Sequence, residues 1–294
     1  MSEAYVRLSP IAALAFILTA TVSAVPALAQ ESEEGDEKAW SNTALLTWVA
    51  TGGNSTTRTL GLSDELRLES GPSTLILSGG AIRSEASTRM ISAVGPSPGS
   101  FMIEETTDTE LTAESYFAQS RYERQVAPLV FVFTGIGWDR NTFAGTDSRW
   151  TFVGGVGLKL VDTENTQFKI DVGTTYVIQN DVVQFGDAEK FGGLRFGWDL
   201  SHVLTPTTSF TSKLALDENL STSSDVRFDL LNALAVQMSD LLALKASLQL
   251  LWDNEPALQA LSLEFPAGTP TGSTVFVPLD KLDSVFTLGL ALNL

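Results

Sequence analysis

The end of the chain shows its periodicity most plainly. Between 284 and 294, Phe286, Leu288, Leu290, Leu292 and Leu294 fall on one parity, and Val285, Thr287, Gly289, Ala291 and Asn293 on the other. Only an extended strand separates those two sets, one face apolar and uncharged, the other small or polar. From residue 40 onward the same habit recurs in about twelve segments, with turn residues between them and no convincing stretch of helical period. They are 41–51, 56–69, 73–84, 109–124, 129–141, 149–161, 166–179, 191–204, 207–217, 225–238, 241–253 and 283–294.

Charges assign the faces. A lysine or arginine at the middle of a lipid layer costs roughly 2–4 kcal/mol, so on a strand of a transmembrane barrel it marks the inward face. In 241–253 the outward set is Leu242, Leu244, Ala246, Leu248, Leu250 and Trp252, against Lys245, Ser247, Gln249 and Asp253. In 166–179, Phe168, Ile170, Val172, Tyr176 and Ile178 oppose Lys169, Asp171, Thr175 and Gln179. Segments 191–204 and 225–238 follow, with Arg195 and Asp199 inward in the first and Arg227 and Asp229 inward in the second. Asp64 breaks the rule by sharing the parity of Leu60, Leu62, Leu66 and Leu68, which turns it toward lipid unless a bulge resets the register. The segment 73–84 is ambiguous. Trp138, Trp150 and Trp252 fall on outward positions near one end of their strands, and Tyr176 joins them as an interfacial aromatic girdle.

Connections alternate in length. Gly71-Pro72, Val126-Ala127-Pro128, 162–165, Pro206 and Ser239-Asp240 are tight, while those after the third, fifth, seventh, ninth and eleventh segments are longer, up to 254–282. Short turns on one side and long loops on the other are the outer-membrane pattern.

The N-terminus and composition narrow the setting. An uncharged apolar run from Pro10 to Leu28 ends in Ala27-Leu28-Ala29, the small-residue pattern of a secretory cleavage site, so 1–29 reads as a signal peptide. Residues 30–40 follow as an acidic, flexible segment, and 41–294 as one barrel. No later apolar run is long enough for a membrane helix. There is no cysteine, which removes disulfides and thiolate sites. A net charge of −17 argues against nucleic acid as a partner.

The densest motif runs from Trp138 to Trp150. A loop centred on Ala144 sets Asp139 against Arg149 on the inner face and Trp138 against Trp150 on the outer face, so one register satisfies both. Asp139-Arg140, Phe143-Ala144-Gly145-x-Asp147-x-Arg149 and Gly154-Gly155-x-Gly157 together resemble the salt-induced outer-membrane protein family, the domain of unknown function 481. Two further stretches are similar to that family, Ala50 to Thr57, and Asp253-Asn254-x-Pro256 with Leu279-Asp280-Lys281-Leu282-Asp283. An extra glycine in the first hairpin and a long insertion between Pro256 and Leu279 depart from its pattern. The resemblance implies a barrel in the outer membrane and supplies no catalytic residues. The chain end also resembles the C-terminal insertion signal of bacterial outer-membrane barrels, through Thr287, Gly289, Leu292 and Leu294, with leucine where an aromatic is usual.

The inward set pits Arg149, Lys159, Lys169, Arg195, Lys213, Arg227 and Lys245 against Asp139, Asp171, Asp199, Asp217, Asp229 and Asp253. Two readings stay open: paired charges that brace and close the interior, and rings that line a narrow aqueous path and sort small solutes. An enzyme is the other class. The single histidine, His202, shares the parity of the outward residues and sits beside Pro206, a poor place for a catalytic base. Glu31, Glu33, Glu34, Asp36 and Glu37 show no metal-ligand spacing, and Gly95-Pro96-Ser97-Pro98-Gly99 has no helix after it to make a phosphate cradle. The loop 254–282 carries apolar residues that either fold into the barrel mouth or meet a partner.

The expectation is therefore an all-β protein, a transmembrane antiparallel β-barrel of about twelve strands in the outer membrane of a Gram-negative bacterium. Its function is expected to be a narrow channel for small solutes or ions, or an envelope-stress barrel, with a charge-lined lumen. The alternative is a closed structural or surface-binding barrel whose outer loops engage a partner, and the third reading is an outer-membrane hydrolase. Expected partners are outer-membrane lipid and, through the C-terminal strand, the barrel-insertion machinery. No cofactor and no metal is expected.

Overall fold

The computed structural model describes residues 39–50, 55–97, 100–142, 144–264 and 270–293. The expected signal peptide, nearly all of the acidic segment, residues 51–54 of the first hairpin, Phe143 and Leu294 lie outside the described residues.

Twelve antiparallel strands close into one barrel. In chain order they are β1 (Ala39–Ala50), β2 (Ser55–Ser70), β3 (Ser73–Ser97), β4 (Ser100–Ala127), β5 (Val130–Asn141), β6 (Thr146–Asp162), β7 (Thr166–Asp181), β8 (Glu189–Thr205), β9 (Thr208–Asn219), β10 (Val226–Gln237) and β11 (Leu242–Asp253). After β11 the chain leaves the wall as β12 (Leu258–Glu264) and β13 (Pro270–Pro278), a separate two-stranded sheet, and returns as β14 (Leu282–Asn293). β14 lies between β11 and β1 and closes the ring. From β1 round to β11 each strand pairs its sequence neighbour, so away from the closing seam the backbone donors of the wall find acceptors one strand away, the condition for spanning lipid without a helix. No helix among the described residues is long and apolar enough to cross a membrane.

The register sorts the side chains as the alternation requires. Outward lie Phe286, Leu288, Leu290 and Leu292 of β14, each about half exposed or more. Val172 and Tyr176 of β7 and Leu244 and Leu248 of β11 are likewise exposed. That much bare apolar surface would be a liability in water and is the lipid-facing surface of a transmembrane barrel. Inward, residues are small, polar or charged, and the fully buried side chains are few: Phe131 at 1% exposure and Phe133 at 4% stand out.

Followed from Ala39 to Glu69, Thr74 and Glu123 and on round to Asp253, one ladder of paired residues climbs the wall and meets the line of β1 about 16 residues higher. For a ring this size such a stagger means strands tilted by about 40°. The closing seam is short. Among the described residues β1 and β14 pair only over Thr43↔Asn293, Ala44↔Leu292, Leu45↔Ala291 and Leu46↔Leu290.

Two connections differ from expectation. Residues 85–108, expected as an outer loop, continue β3 and β4 as a paired ribbon out to Ser97↔Ser100, with a slip between Ser84 and Glu85. Beyond the lipid neither face of a strand must be apolar, so the alternation that betrays a strand elsewhere is missing there. The insertion 254–282, expected as loop, contains the β12–β13 hairpin, register Leu258↔Pro278 to Leu261↔Val275.

Asp64 does face outward, for the pairings of β2 with β1 and β3 run on without a bulge. Its Oδ1 accepts a hydrogen bond from Asn42 Nδ2 at 3.0 Å.

Candidate functional site

The interior of the barrel is the candidate site, and its organisation starts from glycines. On the inner face Gly155, Gly157 and Gly173 leave no room for a Cβ: at Gly157 it would overlap the Phe131 ring, and at Gly155 the backbone of Val172. Phe131 and Phe133 lie over this bare patch of wall. On the rings rest cations, with the Arg121 guanidinium 3.8 Å from the centroid of Phe133 and Lys169 Nζ 5.6 Å from that of Phe131.

Those cations join a tight cluster. Arg121 reaches Glu123 at 2.8 Å and Asp171 at 2.9 Å, and Lys169 Nζ reaches Glu123 at 3.0 Å. Glu123 and Asp171 are buried, at 7% and 9% exposure. Since β4 and β7 are three steps apart (β4, β5, β6, β7), the cluster bridges a quarter of the wall. Low exposure and mutual pairing make it a fixed plug on that side of the lumen. Toward the short turns it borders a cavity of about 250 Å³ lined by Arg67, Glu69, Gln125, Lys159 and Lys169. There Lys159 Nζ donates to Gln125 Oε1 at 3.1 Å and lies 3.6 Å from Asp162.

A second tier lies toward the outer loops. Arg149 pairs with Asp139 at 3.0 Å, and Arg195 grips Asp217 with two bonds of 2.7 Å. Arg227 bonds Asp225 at 2.7 Å and Gln179 at 2.7 Å, lies 3.2 Å from Asp253, and sits over the Phe191 ring. Asp229 accepts from Gln249 at 2.9 Å. These pairs mostly join neighbouring strands and so hug the wall.

One pair does the opposite. Lys213 Nζ on β9 lies 3.1 Å from Glu65 Oε2 on β2. Counted the shorter way round (β2, β1, β14, β11, β10, β9), those strands are five steps apart in a ring of twelve, so the bridge crosses the lumen. Its partners are 43% and 42% exposed, which makes it wet where the plug is dry. Asp199, opposite Lys213 on β8, and Lys245 on β11 also face inward, without an ion pair or hydrogen bond.

The structure thus brings Lys169 and Asp171 into one cluster, joins Asp139 to Arg149, Arg195 to Asp217 and Arg227 to Asp253, and leaves Lys245, and Asp199 between Lys169 and Lys213, with no side chain at bonding distance. Glu65, Arg121, Glu123, Phe131 and Phe133 are among the interior residues that sequence reasoning did not single out. Glu65 was readable, since Ser63, Glu65, Arg67 and Glu69 take the parity opposite the leucines of β2. Glu123 was not, because Arg121, Glu123 and Arg124 put charge on both parities.

Outside, Trp138 faces Trp150 across the β5–β6 ladder, and the Trp138 indole donates to Ser148 Oγ at 3.1 Å. Trp252 stacks on Phe228 with centroids 5.6 Å apart, and Tyr176 opposes Phe152. The β5–β6 loop turns on Gly145, at φ +80, whose missing side chain makes room for Ala257 and Leu279 beside the β12–β13 excursion. Of the C-terminal residues, Thr287 opposes Ser247, and Leu292 lies outward between Leu242 and Ala44. Gly289 is pressed against β1, where a Cβ would come within 2.6 Å of the Leu46 carbonyl. His202 is on the outer face, its Nδ1 2.8 Å from the Thr166 hydroxyl. Among the described residues no group of three or more His, Cys, Asp or Glu side chains is placed to hold a metal ion.

A family model described as "Protein of unknown function, DUF481" matches residues 46–261. No curated protein matches the chain. Among solved structures, the chain is similar to the NanC porin at 9% identity and a TM-score of 0.43, covering 86% of this chain and 100% of that one. It is also similar to an anion-selective porin from Comamonas acidovorans (8%, 0.37, covering 88% and 100%) and to the KdgM porin (7%, 0.37, covering 86% and 98%).

Proposed function

Given that the chain belongs to the DUF481 family, described only as of unknown function, we propose that it is a bacterial outer-membrane barrel that acts as a narrow channel for small solutes or ions. The observation that carries this reading is the wet Glu65–Lys213 bridge across the middle of the lumen. A barrel meant only to be solid would fill that level with packed side chains, as Phe131, Phe133 and the buried charges do on the other side. A half-exposed pair instead leaves water on both flanks and a constriction whose charges meet whatever passes. The outward aromatics Trp138, Trp150, Tyr176 and Trp252 would lie at the lipid headgroups. The C-terminal strand, with Thr287, Gly289 and Leu292, would present the chain to the insertion machinery.

A second reading has its own support. The Phe185 and Phe276 rings meet edge to face at 4.9 Å beyond the outer strand ends, and they are 68% and 45% exposed. That apolar surface suits a barrel whose loops engage a partner.

The test is single-channel conductance of the refolded protein in a planar bilayer, with Glu65→Ala and Lys213→Ala alongside. Discrete conductance that rises when the bridge is removed supports the channel. Silence from folded wild type and both variants overturns it and leaves the outer surface as the place of function.

A further inference from the structure

Every inward arginine or lysine among the described residues has a carboxylate within ion-pair distance except Lys245. Asp199 is an inward carboxylate with no side chain at ion-pair or hydrogen-bond distance, although Lys169 and Lys213 stand opposite it on the two adjoining strands. Both groups are half-buried, so each has given up part of its water without gaining a bonded partner. Lys213 lies directly opposite Asp199 on the adjoining strand yet reaches across the lumen to Glu65.

The two lone groups share a level. Because the ladder climbs about 16 residues per circuit, a residue two strands on and about three residues back stands at the same height. From Lys213 the ladder leads through Leu231 to Gln249, and Lys245 lies four residues back along β11. Asp199, Lys213, Glu65 and Lys245 therefore form one inward ring at mid-barrel, with the Glu65–Lys213 bridge between the lone acid and the lone base. Beside Lys245 the wall carries Gly289 on β14 and Ala243 and Ser247 on β11, over which the buried Leu45 and Thr47 side chains of β1 lie.

We propose that this ring is a binding site for a small zwitterion, whose carboxylate takes Lys245 and whose ammonium takes Asp199, lodged against the Glu65–Lys213 bridge. A lone anion would satisfy Lys245 and leave Asp199 facing an added negative charge, and a lone cation would do the reverse. A zwitterion pairs both at once and adds no net charge to the constriction. The proposal rests on the channel reading for its consequence in transport, but not for binding itself.

The probe is 4-aminobutyrate, with butyrate and 1,4-butanediol as single-charge and neutral controls of similar length. Binding to the refolded full-length protein is read by saturation-transfer NMR, and flux by swelling of proteoliposomes. Wild type is expected to bind 4-aminobutyrate more tightly than butyrate. Lys245→Gln and Asp199→Asn are each expected to weaken it about tenfold or more, the loss of one charge-assisted hydrogen bond, and Lys245→Arg to restore it. Butanediol flux is expected to be unchanged in all variants that keep the heat-modifiable mobility of a folded barrel. Equal binding of butyrate, or variants that bind like wild type, overturns the site even if butanediol still passes. Binding that depends on both residues without flux of any probe supports the site and overturns the channel reading.

Discussion

The Phe131 ring occupies the space that a side chain at Gly157 would need, so ring and glycine form one unit across the β5–β6 ladder. The Gly154-Gly155-x-Gly157 run thereby acquires a physical reason. Two of its three glycines lie on the inner face and clear the wall for aromatic rings, on which the Arg121, Glu123, Lys169 and Asp171 cluster is built.

Gly157→Ala should therefore push Phe131 off the wall and destabilise the barrel by about 1–3 kcal/mol, the usual cost of overpacking. Urea unfolding from lipid vesicles checks this, and Gly137→Ala is the control, because a Cβ there meets only the Gln119 Cβ at ordinary contact distance.

Breaking the dry cluster should cost far more than breaking a wet pair. Glu123→Ala strands Lys169 and one arm of Arg121, and a loss of about 3–5 kcal/mol is expected. Glu69→Ala removes the partner of Arg67, a pair 33% and 46% exposed, and less than about 1 kcal/mol is expected. Equal losses in the same unfolding experiment would mean that the cluster is not the rigid part of the lumen.

Asp64 faces lipid with only Asn42 to hold it. Asp64→Asn removes the charge and keeps a group that can share a hydrogen bond with Asn42, so unfolding free energy in vesicles at pH 8 should rise, by up to about 1 kcal/mol. A fall would show that the carboxylate has a partner of its own at the barrel surface.

The cross-lumen bridge should behave as a pair in conductance. Glu65→Lys and Lys213→Glu each place like charges face to face and should widen the path and change its ion selectivity. The double swap should return both toward wild type, as a coupled pair requires. Additive effects of the two changes would separate the residues.

Much of this molecule was legible residue by residue. The twelve barrel strands and the Asp139–Arg149 register follow from parity and one hairpin. The outer ribbon of β3 and β4 was not legible, because strands beyond the lipid need no apolar face and leave no alternation to read. Nor was the β12–β13 hairpin, whose apolar residues suit either a sheet or a collapsed loop.

Alternation by itself determined that 284–294 and its fellow strands form a wall with one face for lipid and one for charge, because a period of two is a local property that any short stretch displays. Which charge meets which was decided only by closure. Glu65 and Lys213 are 148 residues apart and meet at 3.1 Å. The stagger of a tilted twelve-stranded ring puts β2 and β9 across from one another at one height, and no local pattern contains that number. The same closure leaves Asp199 and Lys245 at the level of that bridge with no side chain at bonding distance, which no alternation along a single strand announces.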